Sequence, residues 1–266
     1  MAQLLFGEHL MDADLVVFDK DGTLIDFSAL WARYTVDSVE ALMASLQAQP
    51  STSQNGGNKR PIQPDQLRAD LYAMMGYDPV HDEFDPHSPV VTASLPTLTT
   101  LAAGVLYRAG WRWLDAELQV QSSFSPVISA PPPPHMIRST APLPELFGAL
   151  ADAGVQIAVV TNDDRAPTLS ALQWLEVAHH IAFIACADDG YPHKPAPDAL
   201  WAACKTTGVS LERTVMVGDS TTDLLMAQRA GVALSVAVLT GTMDATTLAP
   251  HAHVVLNSIA EIRVAP

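Results

Sequence analysis

One decapeptide near the N-terminus, Leu15-Val16-Val17-Phe18-Asp19-Lys20-Asp21-Gly22-Thr23-Leu24, constrains what this chain can fold into more than any other stretch. Its four leading apolar residues, rich in the β-branched type, read as a short buried strand. Asp-Gly then stops the strand, because glycine tolerates the positive φ that a sharp exit needs. Two carboxylates, Asp19 and Asp21, are thereby left at the carboxyl end of a strand. In open α/β sheets that edge is where ligands bind. Taken alone, Asp-x-Asp-Gly is equally well a polar turn, so the remainder of the chain has to decide.

From Pro144 onward the rhythm is regular. Strands are expected at 155–160, 181–185, 213–217 and 234–238, with a last short one at 253–256 before a terminal helical turn. Helices are expected between them, at 144–151, 165–175, 197–207 and 222–230, three of them with glycine (Gly154, Gly208, Gly231) at or just past the end. Strands alternating with helices of this length mean βαβ units and a parallel sheet. Between the Leu15 strand and this region lie about a hundred residues with helical periodicity. Ser28 is placed to cap a helix over 29–47, and further helices are expected at 66–75, 96–108 and 111–120. Residues 50–58 have the composition of a surface loop, and 77–93 that of an irregular connection. The segment 125–134 ends in four consecutive prolines and reads as a stiff extended linker. The expected architecture is an α/β core with a Rossmann-like parallel sheet (1–27 and 138–266), interrupted by a helical cap domain with a Pro-rich return linker (28–137). Two sequential domains are disfavoured, because they would leave the Leu15 strand as an orphan edge.

Composition narrows the function classes. With 48% apolar and 16% charged residues the chain is globular, and a net charge of −15 argues against nucleic-acid binding, which needs a cationic surface. An acidic protein that handles an anion must assemble a local positive site from metal, lysine and backbone N–H groups. No apolar run reaches the roughly 18 residues that span a bilayer. The first basic residue is Lys20, so a secretory n-region is missing, and Cys186 and Cys204 have neither metal-ligand nor redox spacing. A soluble, reducing, cytoplasmic setting is expected.

Three further segments fall at or after core strand ends. Val160-Thr161-Asn162-Asp163 offers a hydroxyl and an amide; His193-Lys194-Pro195-Ala196-Pro197 offers a lysine in a proline-stiffened loop; Gly218-Asp219-Ser220-Thr221-Thr222-Asp223 offers two carboxylates four residues apart, the second in a helix's first turn. Each alone is an ordinary cap, turn or solvated charge. Their coincidence on one sheet edge is not ordinary.

With these segments in order, the sequence resembles the haloacid dehalogenase superfamily, whose four motifs are Asp-x-Asp-x-Thr, a strand ending in Thr or Ser, a lone Lys, and Gly-Asp-x-x-x-Asp. The resemblance covers about 12–27 and 140–262 and looks most like the phosphoglycolate phosphatase-like branch. It implies a phosphatase acting on a small phosphorylated metabolite. Asp19 would be the nucleophile and Asp21 the general acid and base. Thr161, Asn162 and Lys194 would hold the phosphoryl group. One Mg²⁺ would sit on the Asp19 carboxylate, the Asp21 backbone carbonyl and Asp219, with Asp223 in support. A phosphomutase of the same chemistry, or a non-catalytic binding member of the family, is the alternative. The individual substrate is not readable from these residues.

Overall fold

The computed structural model describes residues 2–48 and 63–266, so the expected loop at 50–58 lies outside the described residues. In chain order the first strands are β1 (Ala2–Phe6), β2 (His9–Ala13) and β3 (Leu15–Phe18), followed by α1 (Phe27–Ala48), α2 (Pro64–Met75), β4 (Tyr77–Asp78) and β5 (Glu83–Phe84). Then come α3 (Pro89–Thr92), α4 (Leu95–Arg108), α5 (Trp113–Ile128), α6 (Leu143–Asp152), β6 (Gln156–Val160), α7 (Arg165–Trp174), β7 (Ile181–Ala185) and α8 (Asp198–Thr207). The chain closes with β8 (Thr214–Gly218), α9 (Thr221–Ala230), β9 (Leu234–Val238), α10 (Ala245–Leu248), β10 (Val254–Leu256) and β11 (Ile262–Val264). Two compact units result: Met1–Ser28 with Pro131–Pro266, and Ala29–Ala130.

The first unit is built on a six-stranded parallel sheet of order β10-β9-β8-β3-β6-β7. Alternation along the strands sends side chains to two buried faces, as a parallel sheet requires. Val16, Phe18, Ile157, Val159, Val215 and Val217 pack with Leu143, Phe147 and Leu150 of α6 and Leu172 of α7. Leu15, Val17, Ala158, Val160 and Met216 pack with Leu200 and Ala203 of α8 and Met226 and Ala227 of α9. β3 lies between β6 and β8. The chain leaves β6 toward one edge of the sheet and β8 toward the other, so a topological switch point opens at the end of β3.

Several expectations are corrected. The Leu15 strand is the third strand, because β1 and β2 form a hairpin that pairs antiparallel with β11 in a separate three-stranded sheet. Leu4 and Phe6 are fully buried in the core beneath this hairpin. The terminal helical turn at Ile259–Glu261 is a 3₁₀ turn that leads into β11. Helix α1 starts before Ser28: the Asp26 carboxylate accepts the Ser28 N–H at 3.0 Å, so Asp26 is its cap.

In the second unit, residues 77–93 hold the β4–β5 hairpin and the short α3. Here α5 runs on to Ile128, straight through Pro126, so the start of the Pro-rich segment is helical. Val120, Phe124 and Ile128, all buried, continue one apolar face across the proline. Burial of that face outweighs the one backbone bond that Pro126 cannot make. No helix among the described residues is long and apolar enough to cross a membrane.

Candidate active site

Each catalytic, phosphate-binding and metal-ligating residue expected from the sequence lies in the first unit, at or after the carboxyl end of a sheet strand. Asp19 follows β3 directly, its N–H donating to the Val217 carbonyl at 2.9 Å. Thr161 and Asn162 follow β6, and Asp219 follows β8. Ser220 caps α9 and Asp223 completes the reciprocal box: the Ser220 N–H and Oγ donate to Asp223 Oδ2 at 3.1 and 2.6 Å.

Lys194 ties these loops together. Its ammonium donates to Asp19 Oδ1 at 2.5 Å and to Asp223 Oδ1 at 2.6 Å, all three residues being buried. Its backbone N–H donates to the Asn162 side-chain oxygen at 3.0 Å, which fixes the lysine loop on the end of β6. Thr161 Oγ1 accepts the Asp163 N–H at 3.1 Å, leaving the hydroxyl proton to point elsewhere.

Asp19, Asp219 and Asp223 offer carboxylate oxygens within 4.8 Å of one another. Asp219 Oδ1 accepts from Thr23 Oγ1 at 3.0 Å. Two glycines make room for the same carboxylate: a Cβ on Gly22 would come within 2.2 Å of Asp219 Oδ2, and one on Gly241 within 1.9 Å. Gly22 also has φ +83°, which side-chain-bearing residues rarely adopt. Asp21 is placed differently. Its Oδ2 lies 3.1 Å from the Lys20 ammonium, and its Oδ1 is buried without a hydrogen-bond partner.

Charge in this cluster does not balance. Burial pushes the Asp19 carboxyl up to about 7, although the Lys194 ammonium pulls it down. Burial also carries Asp219 well above the ordinary carboxylate range, and Asp19 and Asp223 add to the rise. For Lys194, burial favours the neutral amine, yet Asp19 and Asp223 outweigh it and hold the ammonium above the usual lysine range. With all three carboxylates ionised, the one ammonium would leave two negative charges uncompensated where water is excluded. A hard divalent cation with oxygen ligands is the group this donor set fits.

A family model for haloacid dehalogenase-like hydrolases matches residues 13–231, most of the chain. The chain belongs to the haloacid dehalogenase-like hydrolase family. Among relatives of this chain, the phosphoglycolate phosphatase of Neisseria meningitidis is 35% identical over 117 residues, 43% of this chain and 49% of that protein. The chain thus spans about half the length of that relative. The phosphoglycolate phosphatase of Shigella dysenteriae is 26% identical over 224 residues, 81% of this chain and 77% of that one. A predicted phosphoglycolate phosphatase from Haemophilus somnus shares the fold, with a TM-score of 0.61 at 16% identity over 94% of this chain and 96% of that one.

Lys20, Asp163, Thr240 and Gly241 contribute to this site and escaped sequence reasoning. Lys20 is fully buried and pairs with Asp163 as well as Asp21. Thr240 donates to the Gly22 carbonyl at 2.6 Å, and Gly241 lies against Asp219. Lys20 fills the unspecified position of Asp-x-Asp, where no residue type is demanded. Thr240-Gly241 directly follows Leu239 at the end of β9, and that placement on the sheet edge was the available signal.

Proposed function

We propose that this chain is a Mg²⁺-dependent phosphatase that hydrolyses a small phosphomonoester through an aspartyl-phosphate on Asp19, with phosphoglycolate the first compound to try. Family membership supports hydrolysis, and the names of the Neisseria and Shigella relatives support the substrate class. The single observation that carries the reading is the Lys194 ammonium held between Asp19 and Asp223 beside the Asp219 carboxylate.

An ammonium has three N–H donors, and the two carboxylates take two of them, so one remains for a phosphoryl oxygen. Thr161 Oγ1 and the Asn162 backbone N–H would take the other oxygens. An Asp19 oxygen attacks phosphorus as the bond to the leaving oxygen breaks, and the proton from Asp21 goes to that oxygen. Asp21 then takes a proton from water as the water oxygen bonds phosphorus and the Asp19–phosphorus bond breaks. The net reaction is phosphomonoester plus water to alcohol plus phosphate. The Asp19 carboxylate, the Asp21 backbone carbonyl and Asp219 would hold Mg²⁺, with Asp223 behind them. Bound there, Mg²⁺ supplies the positive charge that lets a phosphate dianion approach buried carboxylates.

The test is phosphate release from a panel of small phosphomonoesters, with Mg²⁺ and with chelator. Release is expected with Mg²⁺ alone, and Asp19→Asn should lose about 10³-fold or more with an unchanged circular dichroism spectrum. Full turnover by Asp19→Asn would remove the nucleophile's assignment. Isomerised sugar phosphate in place of free phosphate would mark a mutase instead.

A further inference from the structure

Lys20 is the feature that the proposed chemistry leaves unused. It sits between the nucleophile and the acid in sequence, and it has no exposed surface at all. Lysine is almost never buried completely unless paired. Here its ammonium pairs with Asp163 and lies 3.1 Å from Asp21 Oδ2. Its carbonyl accepts the N–H groups of Leu24 and Ile25 at 2.8 and 3.0 Å, so the residue is pinned at both ends. Asp163 is anchored in turn: its carbonyl accepts the Ala187 N–H at 2.9 Å, and its Oδ1 accepts the Asp164 N–H at 2.8 Å. A buried ion pair contributes little more to stability than a well-packed apolar pair of similar volume. Its use is therefore sought in geometry.

We propose that Lys20 is a positioning residue for Asp21: anchored by Asp163 on the loop after β6, its ammonium holds Asp21 Oδ2, so that the buried, unpartnered Oδ1 is the oxygen that exchanges the proton with the leaving group and then with water. This rests on the phosphatase assignment above. A carboxylate swinging freely about its side-chain bonds would present either oxygen, and a displacement of about 1 Å is enough to cost 10²-fold in rate. Lys20 reaches no phosphoryl oxygen in this scheme and acts through Asp21 alone.

That indirect role has a signature which a general structural defect lacks. An alkyl phosphate needs its leaving oxygen protonated as the bond breaks, whereas p-nitrophenolate departs without a proton. Misplacing Asp21 therefore slows attack on the first substrate and spares the second. The experiment measures kcat/KM for an alkyl phosphate and for p-nitrophenyl phosphate on one preparation each of wild type, Lys20→Met and the Lys20→Met/Asp163→Leu double variant. The ratio of the two values does not depend on how much of a preparation is folded. The double variant removes ammonium and carboxylate together, so no unpaired charge remains on Asp163. In both Lys20 variants the alkyl-to-aryl ratio is expected to fall about 10- to 100-fold. Equal losses on both substrates, or an unchanged ratio in the Lys20 variants, would overturn the proposal. Wild type releasing phosphate from neither substrate would instead overturn the phosphatase assignment, and the role of Lys20 with it.

Discussion

A single glycine carries much of the geometry around Asp219. Gly241, unlike Gly22, has no positive φ to strain a replacement, whereas Gly22 could not be tested so cleanly, because φ +83° would strain any side chain. A Cβ added at Gly241 would stand 1.9 Å from Asp219 Oδ2, 2.6 Å from its Cγ and 2.7 Å from its Cβ. Turning the carboxylate cannot relieve overlap with Cγ and Cβ, so the whole side chain must move off Thr23. For Gly241→Ala we expect kcat/KM to drop about 10- to 100-fold, in line with a displacement near 1 Å at a reacting centre. The Mg²⁺ concentration for half-maximal phosphate release should rise about tenfold, as when a ligand's supporting contacts are lost. A Mg²⁺ titration of phosphate release checks both. An unchanged half-maximal concentration would mean that Asp219 does not hold the ion.

Among the elements, α5 stands out for the proline in its last turn. Pro126 is exposed and lacks the N–H that would reach the Ser122 carbonyl, and the helix closes with the Ser129 N–H donating to the Ser125 carbonyl at 3.0 Å. Pro126→Ala changes an exposed side chain and restores one backbone bond, so it should stabilise the protein by about 1 kcal/mol or more. A higher urea midpoint with unchanged slope is the expected readout; a lower midpoint would show that the proline's restriction of the unfolded chain matters more. The proline also shows why part of the fold was illegible in the sequence. Four prolines in a row hide the buried stripe Val120, Phe124, Ile128, because the composition signal swamps a period-four pattern. The hairpin β1–β2 was hidden for another reason: its partner β11 lies at the opposite end of the chain, and β2 interleaves His9 and Asp12 with its apolar residues instead of forming one apolar run. By contrast β6 to β9 were legible, since each is a compact apolar run closed by a turn. The same division holds in the site. Asp19, Asp21, Asp219 and Asp223 are marked by local spacing, whereas the Lys20–Asp163 pair spans 143 positions and follows from topology alone.

At the scale of the whole molecule the question is how a chain of net charge −15 keeps a cluster of buried carboxylates. Without metal it does so by holding protons. Burial sets Asp19 at about 7 and Asp219 well above its usual range, whereas unfolded aspartates titrate near 3.8. Between those values the folded state binds protons that the unfolded state has released. By linkage, stability is then full at or below the unfolded value and falls as pH rises through the folded one. In chelator the melting temperature should accordingly decline from pH 5 to pH 8. A divalent cation competes with those protons and binds the folded, ionised cluster. At about 100 times its Kd it adds roughly 2.7 kcal/mol, enough to raise the melting temperature of a protein this size by several degrees. Mg²⁺ should therefore raise the melting temperature more at pH 8 than at pH 5, where it must displace protons first. Comparing shifts rather than absolute values cancels every other titrating group. In Asp219→Asn the shift should vanish at both pH values. Equal Mg²⁺ shifts at pH 5 and pH 8 in wild type would locate the ion away from Asp19 and Asp219, and the acidic cluster would then have to be neutralised by protons alone.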